Sequence, residues 1–192
     1  MPVSDCSVAE QAPAARTEST VEARPAFSVI VPRPDWTAWF TPGRFSLILG
    51  LLLGANFASV LLGLQTFFLR DFGYFSYPLA QYHRECFWRG EMPLWNPYNS
   101  TGLPFLAQWN TLTLYPPSLI YLLLPLPWSL NLFCLLHLFA GGLGMYFLAQ
   151  RWTQNRFAAS VAGALFVFSG FTLNCAMWTN NMAALGLMPD RA

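Results

Sequence analysis

The side chains of this 192-residue chain that could do chemistry gather between residues 70 and 127. Asp71 stands directly after an uncharged apolar run and beside Arg70, and His83, Arg84, Glu85, Arg89 and Glu91 follow. Asp71, Glu85 and Glu91 could form a paired-carboxylate site for acid–base work. The two glutamates equally suit the solvated face of a loop helix. Beside Arg70, Asp71 also fits a surface ion pair at a membrane boundary, an interaction worth little by itself. Trp95 and Tyr98 carry flat rings that could stack on a sugar, and rings of this kind also anchor the edge of a bilayer. His83 reads as a solvated residue on a surface helix. His137 lies inside an apolar run, where an ionisable side chain is a functional candidate by default. A neutral, hydrogen-bonded packing histidine is the plainer reading there. The cysteines at 6, 86, 134 and 175 form no CxxC or Cys/His cluster, so neither a zinc site nor a disulfide framework is expected, and the thiols read as buried and inert.

The elements that must position these groups are apolar. Hydrophobic residues make up 55% of the chain and charged residues only 10%, against about 25% charged in a soluble domain. Mean hydropathy is +0.38. A net charge of +1 with no basic patch lacks the phosphate-neutralising term that nucleic-acid binding needs. The class expected is therefore an all-α integral membrane protein, and as a whole the chain is neither a soluble enzyme, nor a disordered tail, nor a nucleic-acid binder. Residues 1–44, rich in Ala, Pro, Glu, Ser and Thr, read as a disordered cytoplasmic tail without a signal peptide. Three transmembrane helices are expected at 45–69, 130–150 and 157–175, since about 20 helical residues cross the hydrocarbon. The turn holding Arg151 and Arg156 is then cytoplasmic by the positive-inside rule. This places residues 70–129 outside, as a long loop of short interfacial helices. One such helix is expected from Pro78 to Arg89, stopped by Gly90, with Leu79, Tyr82, Cys86 and Phe87 on the face that meets the membrane. Another short turn of helix is expected at 118–124. Small residues four apart (Gly50 and Gly54, Ala140 and Gly144, Ala159 and Gly163) offer notches for close helix packing, and so for partner helices.

The outer loop also has a characteristic order. Asp71 is followed by Tyr77-Pro78, an arginine-containing helix ending in Gly90, then Pro93-Leu94-Trp95-Asn96-Pro97, Gly102-Leu103-Pro104 and Tyr115-Pro116-Pro117. Over roughly residues 67–174 this order resembles the first outer loop of the bacterial YfhO-like membrane proteins, which are similar to the GT-C superfamily of polytopic glycosyltransferases. The resemblance implies transfer of a sugar from a polyprenyl-phosphate donor at the outer face of the bacterial cytoplasmic membrane. It implies Asp71 as the catalytic carboxylate, because that position matches the acidic residue of the family's first outer loop. Arg70, Arg84 and Arg89 would then meet the donor phosphate, and Trp95 and Tyr98 the sugar. No metal ligands are assigned, and metal assistance stays open. The family has many more spans than three, which predicts that residues 176–192 end a fragment of a larger GT-C-like bundle, inactive alone. The alternative is a small three-span scaffold or assembly protein without catalysis.

Overall fold

The computed structural model describes residues 35–67, 71–99 and 101–188. Most of the tail expected at 1–44 lies outside them, as do Arg70 and Cys6. The fold is mostly helical and is organised around α5 (Trp128–Thr153). This element is 26 residues long and, among the described residues, the one helix long and apolar enough to cross a membrane. It contains the expected span 130–150. Gln154 ends it in a left-handed conformation (φ 52°), and Asn155 caps the next helix, α6 (Arg156–Val167), by accepting from the N–H groups of Phe157 and Ala158 at 3.0 and 3.2 Å. Such side-chain caps satisfy donors that have no partner inside the helix.

The first expected span is interrupted and shorter. Helix α1 (Pro42–Asn56) starts with Thr41 as cap and Pro42 in its first turn, and a four-residue helix α2 (Ala58–Leu61) follows a break at Phe57. Asn56 Nδ2 donates to the Leu52 carbonyl at 2.8 Å, and this competition with the backbone bends helices. Gly63 then stops the run at φ +74°, with Leu64 N–H bonding the Ser59 carbonyl at 2.9 Å and Gly63 N–H that of Val60 at 3.1 Å. Only a residue free of a Cβ takes this conformation cheaply. Both elements lie antiparallel along α5. Phe45 stacks on Tyr146 at 4.8 Å, Gly50 meets Phe139, and the Trp128 indole N–H donates to the Leu61 carbonyl at 2.8 Å.

The third expected span, 157–175, is also divided. Helix α6 gives way at Phe168, and Ser169 starts α7 (Gly170–Cys175) by accepting from Thr172 N–H at 3.2 Å. Within the segment expected at 176–192, α8 (Thr179–Leu187) packs across α5. Gly163, one of the expected notch residues, sits at a tight crossing, while its counterpart Gly142 and the glycine of a second crossing, Gly186, lie outside the expected pairs. A Cβ on Gly163 would lie 2.7 Å from the Gly142 carbonyl oxygen, and one on Gly186 would lie 2.9 Å from that of His137. A Cβ on Gly54 would meet nothing within 4 Å, and one on Gly50 would meet only the Phe139 ring, at 3.7 Å.

The loop segment folds onto one end of this bundle. A π-helical turn (Phe72–Ser76) leads into α3 (Tyr77–Arg89), which Gly90 ends in the left-handed region. The α3 face that is buried holds Leu79, Ala80, His83 and Cys86, and it meets protein; Tyr82 is half-buried and Phe87 exposed. The expected membrane-lying face is thus half right in its residues and differs in what covers it. A two-residue hairpin, β1 (Trp95–Asn96) with β2 (Leu103–Pro104), and a short helix α4 (Leu119–Leu123) complete the loop. Charges of the described residues fall in two groups. Arg44, Arg151 and Arg156 lie at one set of helix ends, where Arg156 donates to Ala38 O (3.4 Å) and Arg44 to Trp39 O (3.2 Å). Asp71, Arg84, Glu85, Arg89 and Glu91 belong to the loop.

Candidate functional site

Asp71 is positioned by its neighbours in sequence. Phe72 is 1% exposed and locked in the core, while the Phe67 N–H donates to the Asn131 side-chain oxygen at 3.3 Å. Asn131 also donates to the Thr66 hydroxyl at 3.3 Å, so a buried amide on α5 holds residues 66 and 67. The carboxylate makes no hydrogen bond or ion pair with any described residue. It lines a cleft of about 330 Å³ together with Phe75, Trp109, Asn110, Trp178, Asn180 and Asn181. Asn110 Oδ1 is the one buried side-chain oxygen or nitrogen without a partner among the described residues. The cleft thus offers a carboxylate, three carboxamides and two indole rings. That combination suits a ligand with several hydroxyls and apolar ring faces, because amides bond hydroxyls in both senses and indoles cover C–H surfaces.

The other site residues expected from the sequence fall elsewhere. Arg84 donates to the carbonyls of Tyr121 (3.2 Å) and Leu124, and Trp88 donates to that of Leu122 at 3.0 Å. Both satisfy carbonyls at the end of α4, a place that favours a cation. Arg84 is therefore a fastener between α3 and α4. Arg89 pairs with Glu91 at 3.3 Å on the surface and also contacts Cys86 Sγ at 3.8 Å. These two partners hold the Arg89 guanidinium above its ordinary pKa. The Trp95 indole lies on Gly102 so closely that a Cβ there would be 2.4 Å from its Nε1. With φ +95°, Gly102 is required both for the turn and for this ring. Tyr98 packs edge-on to Tyr82 at 6.0 Å and lines a separate cleft of about 310 Å³ with Tyr74, Phe75 and Asn96. Phe75 lines both this cleft and that of Asp71.

The histidines are both buried. His137 bonds the Phe133 carbonyl through Nδ1 and the Tyr115 hydroxyl through Nε2, each at 2.7 Å, which makes it a hydrogen-bonded packing residue. His83 is only 4% exposed, contrary to the solvated position expected for it, because α4 and Phe105 cover its side of α3. Cys86, Cys134 and Cys175 are buried free thiols. No three His, Cys, Asp or Glu side chains among the described residues converge as a metal site. Sequence reasoning missed Trp109, Asn110, Trp178, Asn180, Asn181 and Asn131. The shared signal was a tryptophan followed by asparagine in two distant segments, Trp109-Asn110 and Trp178-Thr179-Asn180-Asn181. Compared with known proteins, the chain matches no family model, no curated protein and no solved structure.

Proposed function

We propose that the chain forms the outer-face catalytic part of a polytopic membrane glycosyltransferase, taking a sugar from a polyprenyl-phosphate donor. The observation that carries this reading is the composition of the Asp71 cleft: a carboxylate without a partner among the described residues, lining the same space as two indoles and three carboxamides. In this scheme an acceptor hydroxyl attacks the anomeric carbon, Asp71 takes its proton, and the polyprenyl phosphate leaves with the electrons of the broken C–O bond. Trp109 and Trp178 stack on the sugar in place of Trp95, and Asn110, Asn180 and Asn181 bond its hydroxyls. With Arg84 and Arg89 engaged elsewhere, Arg70 is the remaining arginine for the phosphate. An apolar cavity of about 270 Å³ lined by Phe57, Phe67, Phe72, Leu138, Leu173 and Met177 suits the first part of the donor's tail.

The membrane reading has its own support. The helices between the two charge groups are uncharged, and Leu47, Leu51, Leu62, Leu136, Phe147, Leu165 and Phe171 are exposed along them. Arginines 44, 151 and 156 at one end favour the cytoplasmic side, with the Asp71 cleft outside. The sequence resemblance to YfhO-like proteins supports the same arrangement. In membranes carrying the intact protein, Asp71→Asn should lower sugar transfer from a polyprenyl-phosphate donor by about 100-fold or more at unchanged expression. Undiminished transfer would sink the assignment.

A second reading, a membrane scaffold without catalysis, is favoured by the open surroundings of Gly54 on α1 and the exposed leucines beside it. It predicts that replacing Gly50 and Gly54 by Leu abolishes co-purification with a partner, while Asp71→Asn leaves it intact.

A further inference from the structure

The cleft of about 310 Å³ that adjoins the Asp71 cleft has a lining of its own kind. Three phenol rings, Tyr74, Tyr82 and Tyr98, stand around it, and the carboxamides of Asn96 and Asn99 join them. None of its lining side chains among the described residues is charged. The Tyr82 hydroxyl donates to the Trp95 carbonyl at 2.6 Å, which holds that ring, and Tyr98, packed edge-on against it, is 76% exposed.

Asn96 gives this wall a polar group of fixed direction. The residue is 6% exposed, and its Oδ1 accepts from the Tyr98 backbone N–H at 3.0 Å. A backbone N–H can only donate, so the amide has one orientation and Nδ2 carries two further donors. Nδ2 has no partner among the described residues. It is not sealed off either, since Asn110 Oδ1 is the one fully buried unpartnered side-chain atom among them. The open space that Asn96 lines is this cleft. Phe75 lines it and the Asp71 cleft alike, so a single residue separates the two.

Ring faces, amide donors and the lack of charge together suit a neutral ring bearing hydroxyls, its C–H faces on the phenols and an oxygen accepting from Asn96. An acyl chain would leave the amide donors unbonded, and a phosphate polymer would find no cation in the cleft. An extended peptide is held through the main chain of a strand edge, and the strands among the described residues are the two-residue pair β1 and β2.

We propose that the acceptor in the transfer is a neutral saccharide, whose end unit lies against Tyr98, Tyr82 and Asn96 and turns its hydroxyl toward Asp71. This names the acceptor class for the transferase reading and rests on that reading.

Cells that express the protein natively test it, by sugar analysis of their envelope polysaccharide, protein, lipid and phosphate-polymer fractions. An Asp71→Asn strain should lack one sugar, and lack it in the polysaccharide fraction. Variants are then induced in that strain, at equal amounts in the membrane, and the initial rate at which the sugar returns is read. Tyr98→Ala should return it about ten-fold more slowly than the unchanged chain, and Tyr98→Trp, which keeps a flat ring, at close to the full rate. A sugar missing from the protein, lipid or phosphate-polymer fraction would overturn the saccharide acceptor and leave the transferase reading standing. Full rate in Tyr98→Ala, or equal loss in Tyr98→Trp, would overturn the site. No sugar missing in the Asp71→Asn strain would overturn the transferase reading itself, and this proposal with it.

Discussion

His83 and Asn131 show how much a single buried polar group decides here. His83 titrates at about 4 in the folded chain and at 6.5 when exposed, because desolvation disfavours its charged form. The unfolded chain therefore binds a proton in this interval that the folded chain refuses. Stability is complete above pH 6.5 and declines as the pH falls toward 4, by up to about 3 kcal/mol. Thermal melts between pH 4 and 7 should show this slope, and His83→Leu should flatten it; an unchanged slope would remove His83 as its source. Asn131 contributes through geometry, since it holds Thr66 and the Phe67 backbone, four residues before Asp71 in sequence. Asn131→Leu leaves both partners unbonded and should cost about 1–3 kcal/mol, with a loss of Asp71-dependent transfer. A variant of normal activity would show that Asp71 is placed by Phe72 alone. None of this was visible in the sequence, where Asn131 is one polar residue in an apolar run.

Helix packing explains why the expected glycine notches were partly misplaced. Three pairs at four-residue spacing stood out in sequence, yet spacing marks only a groove and not the neighbour that fills it. Gly163 does sit at a crossing, against Gly142, a glycine outside the pairs. Gly163→Ala forces its Cβ to 2.7 Å from a backbone oxygen and from Phe45, so it should destabilise by about 1–3 kcal/mol. Gly54→Ala meets nothing and should be neutral or raise stability by up to about 1 kcal/mol through helix propensity. Melting of the two variants in one detergent separates the positions, and equal effects would refute the assignment of the crossing. The helix stops at Gly63 and Ser169 were present as residues, but an uncharged run of the right length overrode them. Gly90 was legible because a charged, amphipathic segment ends there with no apolar continuation.

At the level of the whole molecule, the charge-free helices between two charged ends predict a sidedness. In a Cys6→Ser background, Tyr98→Cys should react with a membrane-impermeant maleimide in intact cells, because Tyr98 is 76% exposed. Trp152→Cys, 72% exposed near the arginine end, should react only after permeabilisation. The buried native thiols Cys86, Cys134 and Cys175 should give little background. Reaction of both variants in intact cells would overturn the topology.

By itself the sequence determined the helical class, the central helix around residues 130–150, the α5–α6 turn at Arg151 and Arg156, and the α3 helix with its stop at Gly90. Each follows from local properties: apolar length, capping residues and the conformational freedom of glycine. Tertiary structure alone decided that α8 crosses α5, that Arg84 is spent on the carbonyls of α4, and that Trp109, Asn110, Trp178, Asn180 and Asn181 share a cleft with Asp71. Those groups are separated by up to 110 residues (71 to 181), and no local preference records which distant segments close packing brings together.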